Sequence, residues 1–260
     1  MTNLQPPALL ALDFDGVICD GLMEYFQTSW RAYCQIWSPQ STTPPNGLAE
    51  RFYPLRPVIE TGWEMPVLLR SLLLDVAHDD ILADWPTIAR DRITAEGIAA
   101  KRLATAVDGV RDEWIRDDLD GWLAQHRFYP GMVEYLGQRL ESDTQTVIIT
   151  TKEGRFVKQL LARSGVTMPE AQIFGKEVKR PKYETLRDLI DKYQAESVWF
   201  IEDRLKALLA VAQQPDLGQV RLLLADWGYN VEADRQQAAD DERIELTSLE
   251  TFAASGASQP

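Results

Sequence analysis

Asp13-Phe14-Asp15-Gly16-Val17 sets two carboxylates two residues apart, straight after the apolar run Ala8 to Leu12. In a strand, residues i and i+2 face the same way, so a regular strand would aim both acids together. Like charges that close are costly unless a cation or a proton sits between them. The chemistry open to the pair is therefore the sharing of a cation or a proton, at the carboxyl end of a strand, where α/β folds bind ligands. Gly16 lets the backbone turn sharply straight after. The plain alternative is an acidic turn that caps the next helix.

Three further segments carry chemistry. Thr150 ends the apolar run Thr146-Val-Ile-Ile-Thr150, and Thr151, Lys152, Glu153 and Gly154 follow it. A hydroxyl and free backbone N–H groups at a helix N-terminus hold an anion such as phosphate, although Thr is also a common N-cap. Gly175-Lys-Glu-Val-Lys-Arg-Pro-Lys182 is a basic cluster in an acidic chain, placed just before a helix; a solvated loop is the alternative. Pro181 fits a helix's first turn or the residue before it. That puts Lys182, rather than Lys176 or Lys179, at the start of the helix carrying Leu186 and Leu189. Ile201-Glu202-Asp203-Arg204 sets carboxylates at the end of another apolar run, with a helix N-cap as the alternative.

These residues need a frame. Ala8–Leu12, 146–150, 197–201 and 219–224 read as short strands buried on both faces, as in a parallel sheet. Helical patterns separate them: Val133, Leu136 and Leu140; Phe156, Val157, Leu160 and Leu161; Leu186, Leu189, Ile190 and Tyr193. That alternation predicts an α/β fold with a doubly wound parallel sheet. Between Asp20 and Tyr129 about 110 residues intervene, too many for a structureless loop. They carry helical periodicity of their own and six of the eight tryptophans (Trp30, Trp37, Trp63, Trp85, Trp114 and Trp122), enough for a separate small core. The Pro-rich stretch 38–47 reads as a loop inside this insert.

Composition narrows the classes. Of the 260 residues 27 are Lys or Arg and 40 are Asp or Glu, a net charge of −13. This excludes broad attraction to nucleic acid or to an anionic membrane. Cys19 and Cys34 are the only cysteines, and His78 and His126 share no short metal spacing, so neither a disulfide scaffold nor a zinc site is expected. The N-terminus lacks the basic region of a signal peptide, and the longest apolar runs are too short for a bilayer. A cytoplasmic protein is expected.

In order, the DxDGV segment, the strand-terminal Thr, the Lys before a helix and the strand-terminal acids resemble the haloacid dehalogenase superfamily of phosphotransferases. The resemblance covers residues 8–20 and 128–252. The stretch 128–136 is similar to the family's return from a helical cap inserted after the first motif, and Trp227-Gly228-Tyr229 is similar to family members as well. The resemblance implies a Rossmann-like core of residues 1–20 and 128–252, a helical cap of 21–127 and a flexible tail of 253–260. It implies Asp13 as the nucleophile that forms an aspartyl-phosphate, and Asp15 as general acid and then base. Thr150 would bind the phosphoryl oxygens and Lys182 would neutralise their charge. Mg2+ would be held by Asp13, the Asp15 backbone carbonyl and Asp203. Family members with a single Asp in the first motif attack carbon–halogen bonds, so the second Asp argues for phosphoryl transfer. One departure matters: Glu202 stands where the family often has Gly, and Ala207 stands at the later acid position. Glu202 is then the expected replacement ligand. The expected function is a magnesium-dependent phosphatase acting on a small phosphorylated metabolite. Alternatives are a phosphosugar mutase, since DFDGVICD resembles mutase starts too, and a catalytically weakened binding protein of the same fold. A receiver-like phosphoacceptor module is disfavoured by the long insert. Substrate identity and oligomeric state are not legible; Arg51, Arg56 and Glu60 near Trp63 are substrate-contact candidates, with a solvated or structural role the stronger reading for each.

Overall fold

A computed structural model describes residues 6–254. Most of the expected flexible tail, 255–260, and the first five residues of the expected core lie outside the described residues. The chain opens with β1 (Leu9–Leu12) and a two-residue β2 (Cys19–Asp20). Helices α1 (Leu22–Trp37), α2 (Leu48–Phe52), α3 (Glu64–Leu73), α4 (His78–Ala95), α5 (Ala100–Asp117) and α6 (Leu119–Leu123) follow. The remainder runs β3 (Arg127–Phe128), α7 (Met132–Leu140), β4 (Gln145–Ile149), α8 (Gly154–Arg163), β5 (Ile173–Phe174), α9 (Lys182–Tyr193) and β6 (Val198–Glu202). It closes with α10 (Leu205–Ala212), β7 (Val220–Ala225), α11 (Glu232–Asp240), β8 (Ile244–Thr247) and α12 (Leu249–Ala254). Two compact units result: Met1–Asp20 with Arg127–Pro260, and Gly21–His126.

The first unit is α/β. Its six strands lie in the order β5-β4-β1-β6-β7-β8 and every pairing is parallel. The apolar runs form the central strands because both faces are covered. Leu9, Ala11, Val147, Ile149, Val198 and Phe200 share a core with Leu186 and Leu189 of α9 and Leu208 of α10. The alternate residues Leu10, Leu12, Ile148 and Ile201 are buried as well. From β1 the chain adds β4 and β5 on one side, then crosses to add β6, β7 and β8 on the other. The order therefore reverses beside β1, and a crevice opens at the carboxyl ends of the strands there. Cys19 and Asp20 pair antiparallel with Phe128 and Arg127, so Arg127 belongs with this unit.

The second unit is helical, and the described residues 21–126 contain no strand. Phe26, Trp30, Phe52, Leu68, Trp85 and Val107 lie in one buried cluster. Trp30, Tyr33 and Trp37 repeat along α1 and stack ring on ring at 5.1 and 5.0 Å between centroids. Inside the unit, buried Glu24 takes two bonds from Arg111 (2.7 and 3.1 Å) and one each from Thr28 and Trp122. A buried carboxylate survives only when paired and hydrogen-bonded in this way. Arg56 is buried over the Tyr25 ring, and Arg51 donates to the Leu72 carbonyl. Two of the three substrate-contact candidates are thus tied into the helical unit itself.

Candidate active site

Strand register brings the singled-out residues together. Leu12 lies opposite Ile148 on β4 and opposite Ile201 on β6, so Asp13, Ile149 and Glu202 stand level and Thr150 follows one residue on. The Asp13 N–H donates to the Ile201 carbonyl at 2.9 Å, which sets Asp13 beside Glu202. On the other flank the Thr150 N–H donates to the Phe174 carbonyl at 2.9 Å, holding the turn after β4 against the end of β5. Across the edge run the loop after β5, Thr150, Asp13 and the Glu202-Asp203 pair. Asp13, Thr150, Glu202 and Asp203 are all buried.

Carboxylate oxygens of Asp13, Glu202 and Asp203 lie within 4.8 Å of one another. A cation answers two of them. Lys182, the first residue of α9, puts its Nζ 2.9 Å from Asp13 Oδ1 and 2.8 Å from Glu202 Oε2. The approach to Asp13 is an ion pair off the hydrogen-bonding direction, and buried Asp13 Oδ1 accepts no hydrogen bond among the described residues. Burial alone would depress the Lys182 ammonium, but Asp13 and Glu202 more than reverse it and hold its pKa above the usual lysine value. Burial first, and then the Asp13 charge, push the Glu202 carboxyl well above the ordinary range, with Lys182 opposing. Of the three lysines in the basic cluster, Lys182 is the one at Asp13.

Asp15 departs from the sequence expectation. β1 stops at Leu12, and the Asp15 carboxylate stands outside the cluster of three. It pairs instead with Lys152, whose Nζ lies 3.1 and 3.3 Å from its two oxygens. The turn after Asp15 allows this: Gly16 has φ +87°, and a Cβ there would overlap Asp203 Oδ2. Lys152 was not singled out as a site residue. Its only sequence signal is its place two residues beyond the strand-terminal Thr150, whose hydroxyl accepts the Lys152 N–H at 3.2 Å.

Asp203 is held on every side. Its Oδ2 accepts the Tyr229 N–H at 2.7 Å, and its carbonyl accepts Asn230 Nδ2 at 3.1 Å. A Cβ on Gly228 would collide with the Asp203 side chain and lie 2.6 Å from the Gly16 carbonyl. The Tyr229 hydroxyl donates to Asp20 Oδ1 at 2.8 Å, and Trp227 Nε1 donates to the Val17 carbonyl at 3.1 Å. The Trp227-Gly228-Tyr229 segment therefore braces the acid and the turn after β1.

The donor set suits a hard divalent cation. Three buried carboxylates cluster, an oxygen of Asp13 has no hydrogen bond among the described residues, and Glu202 is driven toward its neutral form. A cation with oxygen ligands, Mg2+ among them, relieves all three conditions. Ala207 lies in α10 and carries no carboxylate, and the acid that clusters with Asp13 and Asp203 is Glu202.

No family model matches the chain, and no curated protein sequence matches it. Solved structures do. A haloacid dehalogenase-like hydrolase from Streptococcus pneumoniae superposes with a TM-score of 0.54 at 13% identity, covering 98% of each chain. A predicted phosphatase from Clostridium acetobutylicum gives 0.57 at 14% identity, covering 96% of this chain and 98% of its own. A predicted phosphoglycolate phosphatase from Haemophilus somnus gives 0.57 at 14%, covering 97% and 96%. At such identities the likeness is one of architecture, and the fold of this chain is that of the haloacid dehalogenase-like hydrolases.

Proposed function

We propose that the protein is a magnesium-dependent phosphohydrolase that cleaves the ester of a small phosphorylated metabolite through an aspartyl-phosphate. The observation that carries this reading is Asp13: a buried carboxylate at the sheet's crevice, with one oxygen lacking a hydrogen bond and Lys182 beside it. A carboxylate oxygen of Asp13 attacks phosphorus, and the bond from phosphorus to the ester oxygen breaks. Asp15 delivers a proton to that leaving oxygen. It then takes a proton from water as the water attacks the acyl phosphate, which releases inorganic phosphate and restores Asp13. Thr150 and the Lys182 ammonium hold the phosphoryl oxygens as their charge shifts. Asp13, Glu202, Asp203 and the Asp15 carbonyl are the groups that would hold Mg2+, which supplies charge neutralisation at the phosphoryl oxygens. The helical unit of Gly21–His126 is read as the cap that keeps bulky substrates out.

A phosphate-release screen over phosphorylated metabolites, run with magnesium and with chelator, tests the reading. Asp13→Asn serves as the blank, because it removes the nucleophile without changing side-chain volume. Turnover that needs magnesium and vanishes in Asp13→Asn, with the circular dichroism spectrum unchanged, is expected. Wild-type turnover in that variant would overturn the covalent route, and full activity after exhaustive chelation would remove the metal from it.

A further inference from the structure

The basic cluster contributes one residue, Lys182, to the chemistry above; Lys176, Lys179 and Arg180 take no part in it. A cavity of about 280 Å3 opens at this loop in the first unit. Its walls include Thr150, Thr151, Lys176, Lys179, Arg180 and Lys182. Lys182 and Thr150 are thus shared between this cavity and the proposed reaction centre.

The loop is built rather than loosely solvated. The Lys176 N–H donates to the Lys152 carbonyl at 2.9 Å, and the Val178 N–H to the Gly175 carbonyl at 3.0 Å. Gly175 packs so closely on the neighbouring turn that a Cβ would strike the Gly154 nitrogen and lie 2.7 Å from the Lys152 carbonyl. Glu177 is the one acid between Gly175 and Lys182, and its carboxylate is committed to the Gly154 N–H at the start of α8, at 3.1 Å. Arg180 is steadied by Thr185 and by Asp188. Lys176 and Lys179 are exposed, and among the described residues neither meets a carboxylate. Lys179 also sits in the left-handed region at φ 54° and ψ 36°, a conformation glycine takes at less cost. In a chain with a net charge of −13, a fastened loop thus lines a cavity with two cations, Lys176 and Lys179, that no carboxylate among the described residues meets.

We propose that this cavity is an oxyanion subsite next to the reaction centre. On this view the substrate carries, a short carbon chain away from the transferred phosphoryl group, a second acidic group that Lys176, Lys179 and Arg180 receive. The inference rests on the phosphohydrolase reading and deepens it. At about 280 Å3 the cavity lies at the small end of ligand sites, roughly 300–1,000 Å3 for drug-sized ligands, and has room for one phosphate or carboxylate and a few carbons. Charge-assisted bonds from lysine and arginine are the recognition such a group calls for.

Hydrolysis-proof probes keep binding separate from turnover. Propane-1,3-diphosphonate and propylphosphonate are titrated into the full-length protein with magnesium by calorimetry, and then into Lys176→Met/Lys179→Met. The diphosphonate is expected to bind wild type at least about tenfold more tightly, the scale of one or two charge-assisted contacts. The double variant is expected to bring that ratio below about threefold. Lys179→Gly relaxes the backbone and removes one cation, so it should lower the ratio while melting no lower than wild type. Equal binding of the two probes to wild type, or a ratio unchanged in both variants, overturns the proposal. If inorganic phosphate added with propylphosphonate recovers the whole advantage, the cavity takes free phosphate and the substrate-borne group is refuted. A tenfold preference in a protein that hydrolyses no phosphate ester would leave the subsite standing and remove the phosphohydrolase reading.

Discussion

Replacing Lys182 by Met keeps the length and apolar stem of the side chain and deletes one positive charge. In the structure that charge lies within 3 Å of both Asp13 and Glu202, two of three clustered carboxylates. Removing one partner of a buried ion pair costs about 3–5 kcal/mol when the other is left charged. Glu202 is already driven toward protonation by burial and by Asp13. It can take up a proton instead, which holds the loss near the lower end, about 3 kcal/mol. For a domain of this size that is a fall of roughly 6–12 °C in the melting temperature of the core unit in chelator. Magnesium should return part of the loss, since a dication supplies the missing positive charge. Catalysis should suffer more, because an electrostatic stabiliser aimed at developing charge contributes about 100–1,000-fold in turnover. The assays are phosphate release from p-nitrophenyl phosphate and thermal melts with and without magnesium. Turnover within about threefold of wild type, or a larger loss in Lys179→Met, would refute the assignment of Lys182, as would an unchanged melting temperature in chelator.

Gly228→Ala forces a methyl group into the Asp203 side chain and the Gly16 carbonyl, so about 1–3 kcal/mol of stability should go, together with magnesium affinity; a melt and a magnesium titration that both match wild type would show that the segment does not position Asp203. Lys152→Met frees the Asp15 carboxylate from its partner. If that pair aims Asp15 at the leaving oxygen, hydrolysis of an alkyl phosphate should fall about tenfold further than that of p-nitrophenyl phosphate, whose leaving group needs little protonation; equal losses would deny Lys152 that task. Burial, and then the charge of Asp15, raise the Cys19 thiol far above its ordinary value, so at pH 8 it stays protonated and unreactive. Mass spectrometry should find Cys19 unlabelled by iodoacetamide in the folded protein and labelled in denaturant; labelling of the folded protein within minutes would show the turn after β1 to be open.

The core was legible where burial imposes a pattern. Strands covered on both faces read as continuous apolar runs, and β1, β4, β6 and β7 all fall within a residue or so of those runs. β5 has two residues and β8 carries an exposed centre, Glu245-Leu246, so neither gives a run to detect. β2 and β3 are two residues each and exist because they pair with one another across the insert. In the helical unit α4 contains Pro86, with Asp84 outside helical geometry, so no single helical period runs its length. The site divides in the same way. Asp13, Thr150, Glu202 and Asp203 follow strand ends, and a strand end can be read locally. The pairing of Asp15 with Lys152 spans 137 positions and depends on β4 lying next to β1, which no local pattern specifies.

Glu202 and Lys182 are best understood as one feature. A glutamate beside Asp203 adds a second carboxylate to the end of β6, next to the carboxylate that ends β1, where a glycine would add none. Left alone it would be a buried like charge, which proteins avoid. Lys182 answers it at 2.8 Å, at the cost of dividing its own attention between Glu202 and Asp13. Less of its charge then remains for an incoming phosphoryl group than a lysine facing Asp13 alone would offer. A site arranged this way gains from positive charge supplied elsewhere: a divalent cation on the three carboxylates, and the lysines of the fastened loop that line a cavity with Lys182. Replacing Glu202 by Gly while keeping Lys182 would test the linkage, since it releases the ammonium to Asp13 and removes one of the proposed metal ligands in the same step. Magnesium affinity and the electrostatic contribution of Lys182 should therefore move in opposite directions, an outcome that neither residue considered alone would produce.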